Sequence, residues 1–172
     1  MGNLASSDLT KQAIRTSGRT YVQDFPEAAS QTFVAGDILA ITSDGRVAIA
    51  AASGSNLAST GDRIVGQAIE AASGVTAALV KVEVWTVDTR IDLPKYSATA
   101  GTAATAYTDV DTQTTLKNDA DFGWVWDFDT TSNPVVHILK VVKSYDGKTM
   151  TVGGQYNPLR GKIIALELFD NS

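Results

Sequence analysis

Few residues in this chain have types suited to chemistry, and they are scattered. His137 is the only histidine, set in the apolar run VVHILKVV (135–142). A histidine base needs an activated nucleophile beside it, and no G-x-S-x-G stretch supplies one. Zinc needs several nitrogen or sulfur ligands, which one histidine and no cysteine cannot provide. His137 therefore reads as a packed or edge residue of a strand. Asp119, Asp121, Asp127 and Asp129 form an acidic run. An EF-hand loop orders its ligands around a central glycine, and this run lacks both the order and the glycine. Walker A, dinucleotide-binding and H-E-x-x-H patterns are absent. The expectation is a protein that is not an enzyme and carries no cofactor or metal.

Three tryptophans remain. Trp124 and Trp126 alternate with Val125 in FGWVWDF (122–128), and Trp85 ends a valine-rich run. Rings at this spacing share one strand face. They read either as core, because aromatic rings bury large areas, or as an exposed platform for a sugar or a partner. Trp85, Trp124 and Trp126 are the candidate platform residues.

The elements that must position these residues are short and β-like. FVAGDILAITSDGRVAIAAA (33–52) is two apolar runs around Ser43-Asp44-Gly45. Asp-Gly supplies the positive φ angles of a tight hairpin turn, so strands are expected over roughly 32–42 and 46–52. RIVGQAIEA (63–71) follows as a strand, with Gly66 marking a bulge or a close backbone approach. The run 78–91, ALVKVEVWTVDTRI, reads as the longest strand. Val80, Val82 and Val84 face inward and Lys81 and Glu83 outward. From Trp85 on the phase shifts, and Pro94 ends the element. Residues 96–115 are rich in Thr and Ala and read as a small-residue loop with an irregular strand from about 105 to 116. Residues 135–142 read as a strand buried on both faces, 153–161 as a loop, and 162–169 (KIIALELF) as a closing strand. Regularly spaced short strands without a helix period predict an all-β antiparallel sandwich or barrel.

Composition agrees. The 172 residues are 44% hydrophobic and 19% charged, which suits a single globular body. Net charge is −5. The first twenty residues hold Lys11, Arg15 and Arg19 against Asp8 alone, so the acidic excess lies in the remainder. Nucleic-acid binding needs clustered Lys and Arg, which an acidic body does not offer. No stretch has the apolar length of a membrane span, and the N-terminus lacks a secretory h-region. No nucleic-acid or membrane partner is expected.

Residues 1–31 lack the strand idiom and read as an extended N-terminal arm, with 32–172 as the body. The arm is either a disordered tail or a segment that orders on a partner or neighbouring subunit. Its candidate contact residues are Leu4, Leu9, Ile14, Arg15, Arg19, Tyr21 and Phe25.

The layout resembles the capsid decoration (head cement) proteins of short-tailed bacteriophages and cyanophages. The resemblance rests on the arm, on Gly36-Asp37-Ile38-Leu39 with Ser43-Asp44-Gly45, on IVGQA at 64–68, on GWVWDFDTTSNPVVHILKV at 123–141, and on GKIIALEL at 161–168. It implies a β-sandwich of jelly-roll or β-tulip type. It further implies a homotrimer, with a dimer as the alternative, on the outer capsid surface of the virion. The protein would be made in the host cytoplasm, and its arm would grip the major capsid protein. A carbohydrate-binding or fibre-tip module for host recognition is the alternative function.

Overall fold

The computed structural model describes residues 14–17, 20–57, 63–86, 89–98, 109–121, 123–130, 134–141, 150–151, 155–156 and 158–163. The described residues form no α-helix. They form β1 (Ile14–Ser17), β2 (Thr20–Pro26), β3 (Ile38–Ile41), β4 (Val47–Ile49), β5 (Ser55–Asn56), β6 (Arg63–Ala68), β7 (Leu79–Trp85), β8 (Arg90–Tyr96), β9 (Gln113–Asp119), β10 (Gly123–Asp127), β11 (Val136–Val141), β12 (Met150–Thr151), β13 (Gln155–Tyr156) and β14 (Pro158–Ile163). The all-β expectation holds.

Two main sheets carry the fold. One runs β2-β7-β6-β3-β4, antiparallel throughout. A parallel bridge from Glu27 to Val47 brings the end of β2 to β4 and curls this sheet on itself. The other runs β1-β8-β10-β9-β11-β14, and β14 pairs back to β8. One of its contacts, β8 with β10, is parallel, so the architecture is mixed there rather than purely antiparallel. β12 and β13 pair separately.

The β3–β4 hairpin turns where Asp44-Gly45 predicts. Gly45 has φ +78°, a value glycine adopts without steric cost. Gly66 sits at a register shift between β3 and β6. A Cβ there would lie 2.0 Å from the Glu83 carbonyl oxygen, so the close backbone approach is real.

The core has two parts. Phe25, Phe33, Leu39, Val47, Val65, Ala68, Val80, Val82 and Val84 fill the curled five-stranded sheet. A second cluster takes Ile38, Ala40 and Ile64 from that sheet and Ile91, Leu93, Leu116, Trp124, Trp126, Val136 and Ile138 from the other. β3 is thus buried on both faces, Leu39 to one cluster and its neighbours to the other. Each fully buried Leu, Ile or Phe contributes about 1.5–3 kcal/mol of apolar burial.

Three expectations are corrected. First, residues 20–31 are not part of an extended arm. All seven residues of β2 pair with β7, and Phe25 is core. β1 pairs with β8, and residues 1–13 lie outside the described residues. Second, the long strand expected over 78–91 is two strands in different sheets. Between the two strands Thr89 N–H donates to Thr86 O and Thr86 N–H to Thr89 Oγ1, both at 2.9 Å. Pro94 does not end the element but lies inside β8, directly opposite Pro158 of β14. Facing prolines form a position in the ladder where no inter-strand bond is made. On its other edge Pro94 falls between the pairing with β1, which ends at Asp92, and that with β10, which starts at Lys95. Third, much of the loop expected over 153–161 is strand, in β13 and β14. The closing strand expected over 162–169 is described only to Ile163, as the end of β14.

Candidate interaction surface

The three tryptophans lie inside the fold. Trp85 is 2% exposed, and Trp124 and Trp126 are 0% exposed. A sugar platform needs an open ring face, and none of the three offers one. Trp124 instead joins the sheets: its Nε1–H donates to Asp37 Oδ1 at 3.1 Å, while Asp37 Oδ2 accepts from Val34 N–H at 2.9 Å. The predicted aromatic platform is therefore a set of core residues.

The predicted arm contacts separate. Leu4, Leu9 and Arg19 lie outside the described residues. Ile14 and Arg15 belong to β1, at the positions facing Asp92 and Ile91 of β8. Phe25 is buried and belongs to the core. Tyr21 is 50% exposed.

On the face of β2 turned away from Tyr21 lies exposed apolar surface. Val22 is 57% and Leu79 69% exposed, and Val34, Ile69 and Val75 are exposed as well. In the β2–β7 ladder Val22 faces Glu83, Asp24 faces Lys81 and Pro26 faces Leu79. Directly opposed residues share a sheet face. These six therefore line the face turned away from Val80, Val82 and Val84. Ile69 joins them, because its N–H donates to the Lys81 carbonyl at 3.0 Å. Leu79 was legible in part: it shares the parity of Lys81 and Glu83, the outward side of the valine alternation.

Charges on this face are tied locally. Lys81 Nζ lies 3.8 Å from Asp24 Oδ1, Thr20 Oγ1–H donates to Glu83 Oε1 at 2.9 Å, and Lys81 N–H donates to Glu70 Oε1 at 2.8 Å. Exposed pairs of this kind contribute about 0–1 kcal/mol each, so they shape the surface more than they stabilise it.

Below this face the loop before β7 is held by a buried carboxylate. Glu27 is 0% exposed. Its Oε2 accepts from Ser73 N–H at 2.8 Å and Ser73 Oγ–H at 3.0 Å, and its Oε1 from Gly74 N–H at 2.7 Å. The Glu27 main chain exchanges bonds with Ala77 and Ala78, both 2.8 Å. This clamp sets the positions of Val75 and Leu79.

Other polar groups among the described residues also make specific contacts. Lys95 Nζ pairs with Asp109 Oδ1 at 2.8 Å and lies 4.6 Å from the centre of the Phe128 ring. Lys117 Nζ lies 3.2 Å from Asp119 Oδ2 and 3.6 Å from the centre of the Tyr96 ring. Partial burial works against the Lys117 ammonium, but Tyr96 and Asp119 outweigh it and hold its pKa above the ordinary lysine value. Asp127 accepts from Asp129 N–H and Thr130 Oγ1–H, and Asp129 from Ser97 Oγ–H and Ala98 N–H. His137 Nε2 bonds Asp111 Oδ1 at 2.7 Å. The acidic run is thus divided among separate turn and strand contacts. Among the described residues no group of three or more His, Cys, Asp or Glu could hold a metal ion, and no helix is long and apolar enough to cross a membrane. No protein-family model, no curated protein and no solved structure matches this chain.

Proposed function

We propose that this protein is a structural component of a bacteriophage virion, a decoration protein that binds the major capsid protein across capsomers on the outer head surface and reinforces the shell. The observation that carries the reading is the division between core and surface. The three tryptophans lie inside, while Val22, Ile69 and Leu79 stand on an open sheet face. A face of that kind suits adhesion to another protein, because apolar area removed from water drives association. The alternative of a carbohydrate-binding or fibre-tip module loses the three rings it would use. In this reading the protein self-associates, as a homotrimer or as a dimer, and its acidic surface faces solvent. The test is co-sedimentation of the full chain with empty shells assembled from the major capsid protein of the same genome. Saturable binding with a raised shell melting temperature is expected. A chain that stays in the supernatant overturns the proposal.

A further inference from the structure

We infer that β2 is a self-pairing edge, through which two copies of this chain join their five-stranded sheets into one continuous sheet. This deepens the self-association in the proposed function to named residues and does not depend on the capsid partner.

Pro26 sets the phase of the β2–β7 ladder. It lacks an N–H and faces Leu79 in the ladder with β7. A regular antiparallel ladder alternates bonded and non-bonded pairs, so Pro26 occupies a non-bonded one. The β2–β7 register runs without a shift from Thr20 to Pro26. Tyr21, Gln23 and Phe25 therefore carry the bonds to β7. Thr20, Val22 and Asp24 turn their N–H and C=O groups to the opposite edge. The bond from Glu27 N–H to Ala78 O continues that alternation. On the opposite edge no described strand pairs with β2 before the Glu27–Val47 bridge. Tyr21 to Asp24 are all exposed.

Sheet edges of this kind are ordinarily guarded by lysine, proline or a bulge. Between Thr20 and Asp24 this one has none of the three, and Asp24 is its only charged residue. The occupant that fits is the strand itself, because an antiparallel pair of identical strands is two-fold symmetric. One register is preferred. Centred on Val22, it sets Val22 against its counterpart and Thr20 against Asp24 in both directions. Every outward N–H and C=O of Thr20, Val22 and Asp24 then finds a partner. The two exposed valines meet at the centre, and neither Asp24 faces a like charge. Centring on Gln23 instead puts a bonded position on Pro26, which has no N–H. Centring on Tyr21 carries Asp24 past the start of β2. Such a pairing closes after two copies, so it selects the dimer over the trimer.

The test is the mass of the full chain in solution by light scattering across a dilution series, without capsid. The wild type is expected at twice the 18.1 kDa chain mass, dissociating on dilution. Val22→Pro removes an N–H that the β7 ladder does not use, so the variant is expected to keep its β circular dichroism and run as a monomer. Should Val22→Pro fail to fold, Val22→Lys serves instead. It sets two like charges directly opposite each other and is expected to weaken the dimer at least tenfold. Amide exchange of Thr20 and Asp24 should slow in the dimer and quicken in the variants. A wild type that stays monomeric at the highest concentration, a mass of three copies, or variants that dimerise as the wild type does would each overturn the inference.

Discussion

Glu27→Ala tests whether the buried carboxylate clamp holds the curled sheet. The substitution removes the acceptor of three hydrogen bonds, from Ser73 N–H, Ser73 Oγ–H and Gly74 N–H. Bonds to a charged group contribute about 1.5–3 kcal/mol each. Ser73 and Gly74 are exposed, so water partly replaces the lost acceptor once the carboxylate is gone. The expected net cost is then about 2–4 kcal/mol. For a chain of this length, that lowers the melting temperature by roughly 5–15 °C. Ser73→Ala removes only the hydroxyl bond and should cost about 1 kcal/mol. Because that hydroxyl acts largely through Glu27, the double variant should be little worse than Glu27→Ala alone. The residue of its effect is the bond Ser73 Oγ accepts from Val75 N–H at 3.1 Å. Thermal unfolding followed by circular dichroism reads all three variants. A Glu27→Ala protein that melts within about 2 °C of the wild type would refute the clamp. Additive single and double variants would show that Ser73 and Glu27 act independently.

Other consequences are as direct. Gly66→Ala places a Cβ against the backbone oxygen of Glu83 and should cost about 3 kcal/mol or more in urea unfolding. Gly45→Ala meets nothing within 4 Å but keeps φ +78°, so it should cost only about 1–2 kcal/mol. Lys117 has a raised pKa in the folded state. Its contribution is therefore complete below the ordinary lysine value of 10.5 and is lost as pH rises through the folded value. Lys117→Met should flatten the alkaline limb of stability against pH, and an unchanged limb would count against the contact with Tyr96 and Asp119. Trp85, Trp124 and Trp126 are all buried, so native fluorescence should resist acrylamide quenching and ignore added sugars. Ready quenching would return the platform reading to contention. Deleting residues 1–28 removes β2 with Phe25 and Glu27 and should abolish cooperative unfolding. Deleting 1–13 leaves every described strand in place and should preserve it.

The gap between sequence and structure has a physical pattern. Where one face of a strand is buried and its turn has a special residue, the sequence shows both. The β3–β4 hairpin, the inward valines of β7 and the bulge at Gly66 are of this kind. β2 escapes because it is an edge strand. Four consecutive residues, Tyr21 to Asp24, are exposed and only Phe25 is fully buried, so there is no period to read, and an ordered strand resembles an arm. β7 and β8 merge for the opposite reason. Val84 belongs to the core of the curled sheet and Trp85 to the core shared with the second sheet. The chain therefore changes sheets while its composition stays apolar and β-branched. The phase shift at Trp85 is the visible trace of that crossing, and Pro94 reads as a strand end because the proline opposite it lies more than sixty residues away in sequence. The candidate surface follows from the same geometry. Its residues are neighbours only because β2, β7 and the end of β6 are adjacent, and the sheet order that makes them so is set by long-range pairing that no local pattern encodes.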